Sequence, residues 1–230
     1  MPVTNNAILY GVSVGPGEPE LLTLRAVRIL RDCPVLAAPR TPGGGTVALD
    51  IVSGVVDLTD KELLTLDFAM ARDAGARQAA HAQAAAQLRP PLARGLSVAV
   101  LNLGDVSLYG SFPYLARQLA EDFTVEMVPG VPSFCAAAAR LGISLTRMDQ
   151  PLHLIPGGVE ELAAALPQGT RVYMKSGRQL GRLLDLLDRE GVLDQAMLVQ
   201  NCGMAQERIF YGVDARQAPP DYFSLVIVPG

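Results

Sequence analysis

The chain has few of the groups on which metal and nucleophile chemistry depend. It has two histidines, His81 and His153, among 230 residues, too few for a histidine-rich metal cage. Its three cysteines, Cys33, Cys135 and Cys202, are odd in number, scattered, and form no Cys-x-x-Cys pair. That argues against disulfides and a zinc site and for thiols in a reducing compartment. No apolar run reaches the ~18–20 residues of a membrane span. The opening Met1-Pro2-Val3-Thr4-Asn5-Asn6 lacks the basic n-region and apolar core of a signal peptide. A cytoplasmic protein is expected, with no membrane partner. Positive charge is also scarce: 19 Lys and Arg against 23 Asp and Glu leave a net charge of −4 and a pI of about 5.2. Nucleic-acid proteins usually carry a basic face, so no nucleic-acid partner is expected. There is no Gly-x-Ser-x-Gly, no Cys/His pairing by spacing and no paired-carboxylate pattern. Chemistry would then lie in reactive ligands, with the protein supplying binding and orientation.

What is present is a well-buried globular composition, 50% hydrophobic and 18% charged. Apolar runs alternate with helical patterns. Strands are expected at 8–14, 34–38, 63–66, 97–103 and 124–128, and helices at 19–31, 47–53, 71–93 and 112–121. This βαβα order predicts a mostly parallel sheet covered on both faces. The long helix contains ten alanines, a strong helix signal, and carries His81 as a surface or packing residue. Val128-Pro129-Gly130-Val131-Pro132 changes the texture, and a domain boundary is placed there, giving domains 1–130 and 131–230. In the second domain strands are expected at 152–155, 171–174, 196–200, 208–211 and 223–228, and helices at 133–141, 159–166 and 179–190. The last three strands leave no room for crossover helices, so the second sheet must contain antiparallel pairs.

Four turn-rich segments end strands. In Val14-Gly15-Pro16-Gly17-Glu18-Pro19-Glu20, a strand meets a tight turn and a helix start, the first half of a βαβ unit. Ligands of open α/β folds bind at such edges. The turn is not a Walker loop, because Glu18 follows Gly17 and no lysine occurs before Lys61. It is not a Rossmann fingerprint either, since Glu20 holds the third glycine position. It reads as a structural turn or as a site for a ligand without phosphate. The second segment is Leu103-Gly104-Asp105-Val106-Ser107-Leu108-Tyr109-Gly110-Ser111. Asp105 there can hold a cation or hydroxyls, or simply cap a turn. The third is Pro129-Gly130-Val131-Pro132-Ser133, and the fourth Gln200-Asn201-Cys202-Gly203-Met204. Together they surround one possible cleft between two domains. The loop Thr41-Pro42-Gly43-Gly44-Gly45, with Arg40 at its root, reads as a mobile connection or a lid edge.

Taken in order, Gly15-Pro16-Gly17-Glu18-Pro19-Glu20-Leu21-Leu22-Thr23, Leu103-Gly104-Asp105-Val106-Ser107-Leu108-Tyr109, Val128-Pro129-Gly130-Val131-Pro132-Ser133-Phe134 and Val172-Tyr173-Met174-Lys175 resemble the tetrapyrrole (corrin/porphyrin) methylases. The resemblance spans nearly the whole chain. Through Leu66-Asp67-Phe68-Ala69-Met70-Ala71-Arg72-Asp73 and Leu108-Tyr109-Gly110-Ser111-Phe112 it is most similar to the precorrin-2/cobalt-factor II C20-methyltransferases of vitamin B12 (cobalamin) biosynthesis. It departs at Val106, where the family usually has proline, so the turn loses a fixed φ. The resemblance implies two α/β domains of the class III S-adenosylmethionine methyltransferase kind, with the active cleft between them. It implies a homodimer, S-adenosyl-L-methionine as co-substrate and no protein-bound metal. The implied cofactor residues are Pro16, Leu103, Gly104, Asp105, Leu108, Pro132, Ser133, Met174, Cys202 and Ser224. Asp105, Tyr109 and Glu18 are the candidates for a catalytic base. A substrate with several carboxylates needs cations, and Arg40, Lys175 and Arg178, then Arg72 and Arg147, are the candidates. Methylation of uroporphyrinogen III or another corrin position is the alternative, followed by a non-catalytic tetrapyrrole- or nucleotide-binding module.

Overall fold

The computed structural model describes residues 6–41, 44–68, 73–156 and 168–230. They divide into two compact units, one ending at Pro132 and one beginning at Ser133. The first is built on β1 (Ile8–Ser13), β2 (Val35–Pro39), β3 (Glu62–Leu66), β4 (Val98–Asn102) and β5 (Thr124–Val128). These pair in the order β3-β2-β4-β1-β5, and every pairing is parallel. A parallel sheet needs both faces covered, and the apolar runs supply two cores. Val12, Leu36, Ala38 and Leu101 pack with Leu30 and Val52, from α1 (Leu24–Asp32) and α2 (Val47–Ser53). Leu9, Val35, Ala37 and Val100 pack on the opposite face with Leu88 and Leu115, from α3 (Ala74–Ala93) and α4 (Phe112–Leu119).

The helix expected at 19–31 is two elements. Residues Pro19–Leu21 form a single 3-10 turn, and Leu22 is extended at ψ 136°. The break comes from Thr23, whose side chain accepts a hydrogen bond from the Ala26 N–H at 3.1 Å and so starts α1 at Leu24. Thr23→Ala is expected to lower stability by about 1 kcal/mol, measured by chemical denaturation. α3 begins similarly, with Asp73 accepting from the Ala76 N–H; residues 71 and 72 of the expected helix lie outside the described residues. His81 is a packing residue, its ring stacked on Tyr114 at 4.5 Å.

The second unit contains α5 (Ser133–Leu141), β6 (Leu152–Pro156), β7 (Thr170–Met174), α6 (Leu180–Arg189), β8 (Met197–Gln200), β9 (Arg208–Tyr211) and β10 (Ser224–Val228). The helix expected at 159–166 lies outside the described residues. The sheet runs β6-β7-β10-β8-β9. β6 and β7 are parallel, and the other pairs are antiparallel, as the short connections near the C-terminus require. α6 buries Leu180, Leu183, Leu184 and Leu187, an i, i+3, i+4, i+7 stripe, in a core with Tyr173, Leu198 and Val226. Each fully buried leucine contributes about 1.5–3 kcal/mol.

Candidate functional site

In the first unit the predicted residues collect at the carboxyl edge of the parallel sheet. Gly15 and Gly104 form an isolated bridge just beyond β1 and β4, with the Gly104 N–H donating to the Gly15 carbonyl at 2.8 Å. The β4 turn then crosses the end of the central strand. The Val106 N–H donates to Ser13 Oγ at 2.8 Å, and Ser13 is fully buried. Val106 can do this because it is not proline, so the hydrogen bond replaces the rigidity that a fixed φ would give. Beyond β1, Asp105 reaches the loop after β5. Its Oδ2 accepts from the Gly130 N–H at 2.8 Å, and its Oδ1 accepts from the Ser107 N–H at 2.9 Å and from the Ser107 hydroxyl. Gly130 has to be glycine, because a Cβ there would lie 2.4 Å from the Ser13 Cβ.

Asp105 is 8% exposed. Burial pushes its pKa up, but the bonds from Ser107 and Gly130 outweigh that and hold it below the ordinary value. The candidate for holding ribose hydroxyls or acting as a base is thus a carboxylate that accepts from three protein donors, and these bonds fix the turn. Pro16 and Gly104 are buried, and Leu103, Leu108 and Pro132 are half-buried at the same edge. Glu18 is exposed. Tyr109 is 43% exposed and adopts φ 51°.

Met174, Cys202 and Ser224 also share an edge, in the second unit. β10 runs against β7 and β8, with Leu225 opposite Met174 and Ser224 opposite Gln200. The start of β10 therefore lies between the ends of the other two strands. Met174 and Cys202 are half-buried and Ser224 is buried. The Ser224 hydroxyl accepts from Gln200 Nε2 at 2.9 Å and donates to the Asp221 carbonyl at 2.8 Å, so it locks the edge. Ser133, which opens α5, is half-buried in the same unit. Two buried polar atoms at the ends of β7 and β8, Ser176 Oγ and Gln200 Oε1, have no hydrogen-bond partner. Glu207 was not anticipated. Its Oε2 accepts from the Gly203 N–H at 2.8 Å and its Oε1 pairs with Arg140 at 2.6 Å; burial pushes its pKa up, but these bonds, the Arg140 charge and a hydrogen bond with Cys202 outweigh that and lower it.

The described residues include three non-glycine residues with positive φ: Tyr109, Lys175 at 58° and Asn201 at 52°. Each follows a strand at one of these two edges. Left-handed backbone costs of order 1 kcal/mol or more for such residues and clusters at functional sites. Lys175 is an exposed residue, and desolvation by the protein packed around it still lowers its pKa. Arg178 is exposed in the short 3-10 turn Gly177–Gln179. Arg40 forms an ion pair with Asp67 at 2.6 Å and also reaches the Gly44 carbonyl. Arg147 is exposed, and Arg72 lies outside the described residues. The described ends of the loop after Arg40 are tied together: the Thr41 N–H donates to the Gly45 carbonyl at 2.8 Å and the Gly44 N–H to the Thr41 carbonyl at 2.9 Å. Residues 42 and 43 of that loop lie outside the described residues. Among the described residues no cluster of three or more His, Cys, Asp or Glu could hold a metal, and no helix is long and apolar enough to cross a membrane.

Comparison with known proteins bears on both units. A family model described as Tetrapyrrole (Corrin/Porphyrin) Methylases matches residues 8–215. The chain is 34% identical to a precorrin-2 C(20)-methyltransferase of Sinorhizobium sp, over 96% of this chain and 95% of that protein. It is 33% identical to the cobalt-precorrin-2 C(20)-methyltransferase of Salmonella typhimurium, over 97% and 96%. Against the cobalamin biosynthesis protein CobIJ of Mycobacterium bovis the identity is 32%, over 96% of this chain and 46% of that protein, so the chain spans about half the length of that relative. The fold matches a uroporphyrin-III C-methyl transferase from Thermus thermophilus, solved with S-adenyl homocysteine, at a TM-score of 0.70 and 23% identity over 97% and 92% of the two chains.

Proposed function

The chain belongs to the tetrapyrrole (corrin/porphyrin) methylase family, and from that premise we propose that it transfers a methyl group from S-adenosylmethionine to the C20 meso carbon of precorrin-2 or its cobalt complex. One observation carries the C20 position: the likeness to two C(20)-methyltransferases covers at least 95% of both partners. The two edges are compatible with that co-substrate. S-Adenosylmethionine has no phosphate and carries a sulfonium, and the Gly15–Gly17 turn is followed by the exposed Glu18 and Glu20 rather than by a lysine. Half-buried Met174 and Cys202 offer apolar contact at the second edge, and the unpartnered Ser176 Oγ and Gln200 Oε1 offer a donor and an acceptor.

The co-substrate supplies an electrophilic methyl, and a meso carbon between pyrrole-type rings is already nucleophilic. The residues therefore have to align the reactants at ~3–3.5 Å and exclude water, which can contribute about 7–11 kcal/mol. Pro16, Leu103, Gly104, Leu108, Pro132 and Ser133, with Met174, Cys202 and Ser224, are assigned to the cofactor in this reading. Asp105 is assigned to shaping the turn rather than to touching the ligand. Lys175 is the favoured anchor for a substrate carboxylate. It follows β7 directly at the second edge, held in the left-handed backbone region. Arg178 is a second anchor, whereas Arg40 is already paired with Asp67. Tyr109, exposed on the β4 turn, and the exposed Glu18 are the remaining candidates for moving a proton. A tetrapyrrole partner, a homodimer and a cytoplasmic location belong to the same reading.

Purified protein incubated with S-adenosylmethionine and precorrin-2 is expected to add one methyl, read by mass spectrometry of the macrocycle. A gain on uroporphyrinogen III with none on precorrin-2 would instead place the chain elsewhere in the family. No binding of the co-substrate would sink both. Comparing metal-free with cobalt-bound substrate decides between the two named C20 activities.

A further inference from the structure

Asp221 precedes β10 and belongs to no element, yet three strands of the second unit meet at it. We infer that Asp221 is a positioning residue for methyl transfer, holding the cofactor edge of the second unit as Asp105 holds that of the first. The inference rests on the reading of that edge given above. Its Oδ2 accepts from Asn201 Nδ2 at 2.8 Å, at the turn that ends β8. Its Oδ1 accepts from the Phe223 N–H at 2.9 Å, at the start of β10. Its carbonyl accepts from the Ser224 hydroxyl at 2.8 Å. The same carbonyl is the floor beneath the turn after β7, because a Cβ on Gly177 would lie 1.9 Å from it.

The residues tied together in this way flank Met174, Cys202 and Ser224. Asn201 takes φ 52°, a conformation that persists only where the surroundings over-determine it. The Asn201 N–H donates to the Phe223 carbonyl at 3.0 Å and its carbonyl accepts from the Met204 N–H at 2.9 Å. The carboxylate of Asp221 adds a charge-assisted bond to the side chain of that same residue. Removing it leaves the backbone bond from the Asn201 N–H to the Phe223 carbonyl to hold the turn that carries Cys202 against the strand that carries Ser224, and so loosens that turn. The reacting atoms lose no direct contact, so the cost falls on the geometry of binding.

Calorimetric titration with S-adenosylhomocysteine tests the assignment on the wild type, D221A, and the exchange D221N/N201D, which swaps donor and acceptor across one pair. D221A removes the carboxylate's two hydrogen bonds, from Asn201 and from the Phe223 N–H, and one charge-assisted bond alone corresponds to about tenfold in a binding constant. D221A is expected to raise Kd by about that factor. The exchange variant is expected to recover most of the loss. With substrate, D221A should raise KM for S-adenosylmethionine and leave kcat at saturation largely unchanged. If D221A does not fold, N201A removes the same bond from the other side and should weaken binding similarly. Wild-type binding by D221A, or equal losses in D221A and in the exchange variant, overturns the inference alone. A wild type that binds no S-adenosylhomocysteine overturns the methyltransferase reading, and the inference with it.

Discussion

Asp105→Ala is expected to cost about 2–4 kcal/mol of stability and to weaken S-adenosylmethionine binding by tenfold or more. The carboxylate takes three hydrogen bonds, from the N–H groups of Gly130 and Ser107 and from the Ser107 hydroxyl. Hydrogen bonds to a charged group contribute about 1.5–3 kcal/mol each, and the donors that remain are partly exposed, so water recovers some of the loss. Asp105→Asn should cost less, because its amide keeps one acceptor oxygen, but its NH2 then confronts a donor. The pH dependence follows from the lowered pKa. A carboxylate held below the ordinary aspartate value of 3.8 contributes stability that is fully present above that value and is lost as pH falls through the folded-state pKa. The Tm gap between wild type and D105A should therefore be flat from pH 8 to about pH 5 and narrow only below about pH 4. A gap that narrows through neutral pH would mean that another group sets it. Differential scanning calorimetry over that range gives the answer, and titration with S-adenosylhomocysteine gives the binding half.

That prediction depends on contacts of a kind the sequence shows poorly. Strand β5 and helices α2 and α5 lie where periodicity placed them, because proline, glycine or a change of period marks their ends. The first helix was misplaced, because the apolar spacing continues through Leu22 and Thr23 while the Thr23 side chain captures the Ala26 N–H. A capping threonine inside an apolar pattern is a readable signal, and it outranks the pattern. The four turns were visible as glycine and proline after apolar runs, and their order along the chain placed them at strand ends. What each side chain does there was not visible. The donors that hold Asp105 were hidden because its acceptor bond to Gly130 spans 25 residues. Asp221 and Asn201 are 20 residues apart and carry no common pattern. Ser13 and Val106 are 93 apart, and the valine in a proline's place showed only that a fixed φ was lost, not that its N–H has a partner. Register makes these pairs, and register is set by whole strands rather than by local spacing.

Gly177→Ala should be among the most damaging single-methyl additions to the second unit, with a loss of about 3 kcal/mol or more. The added Cβ would stand 1.9 Å from the Asp221 oxygen, 2.6 Å from its carbonyl carbon and 3.2 Å from the Tyr222 Cα. All three are backbone atoms, so no flexible side chain can yield, and either the turn after β7 or the entry to β10 must move. Gly181, four residues on, is the internal comparison. A Cβ there meets nothing within 4 Å, and it lies inside α6, where alanine is favoured over glycine by about 0.8–1.0 kcal/mol. Gly181→Ala is expected to raise Tm while Gly177→Ala lowers it steeply, the two measured side by side by thermal unfolding. The shift at Gly177 also displaces the Asp221 carbonyl, on which the Ser224 hydroxyl depends. The Kd for S-adenosylhomocysteine should therefore rise in G177A even under conditions where the variant is fully folded. A folded G177A with wild-type affinity would show that the edge of β7, β8 and β10 can move without disturbing the ligand, and would separate the packing of this unit from its binding role.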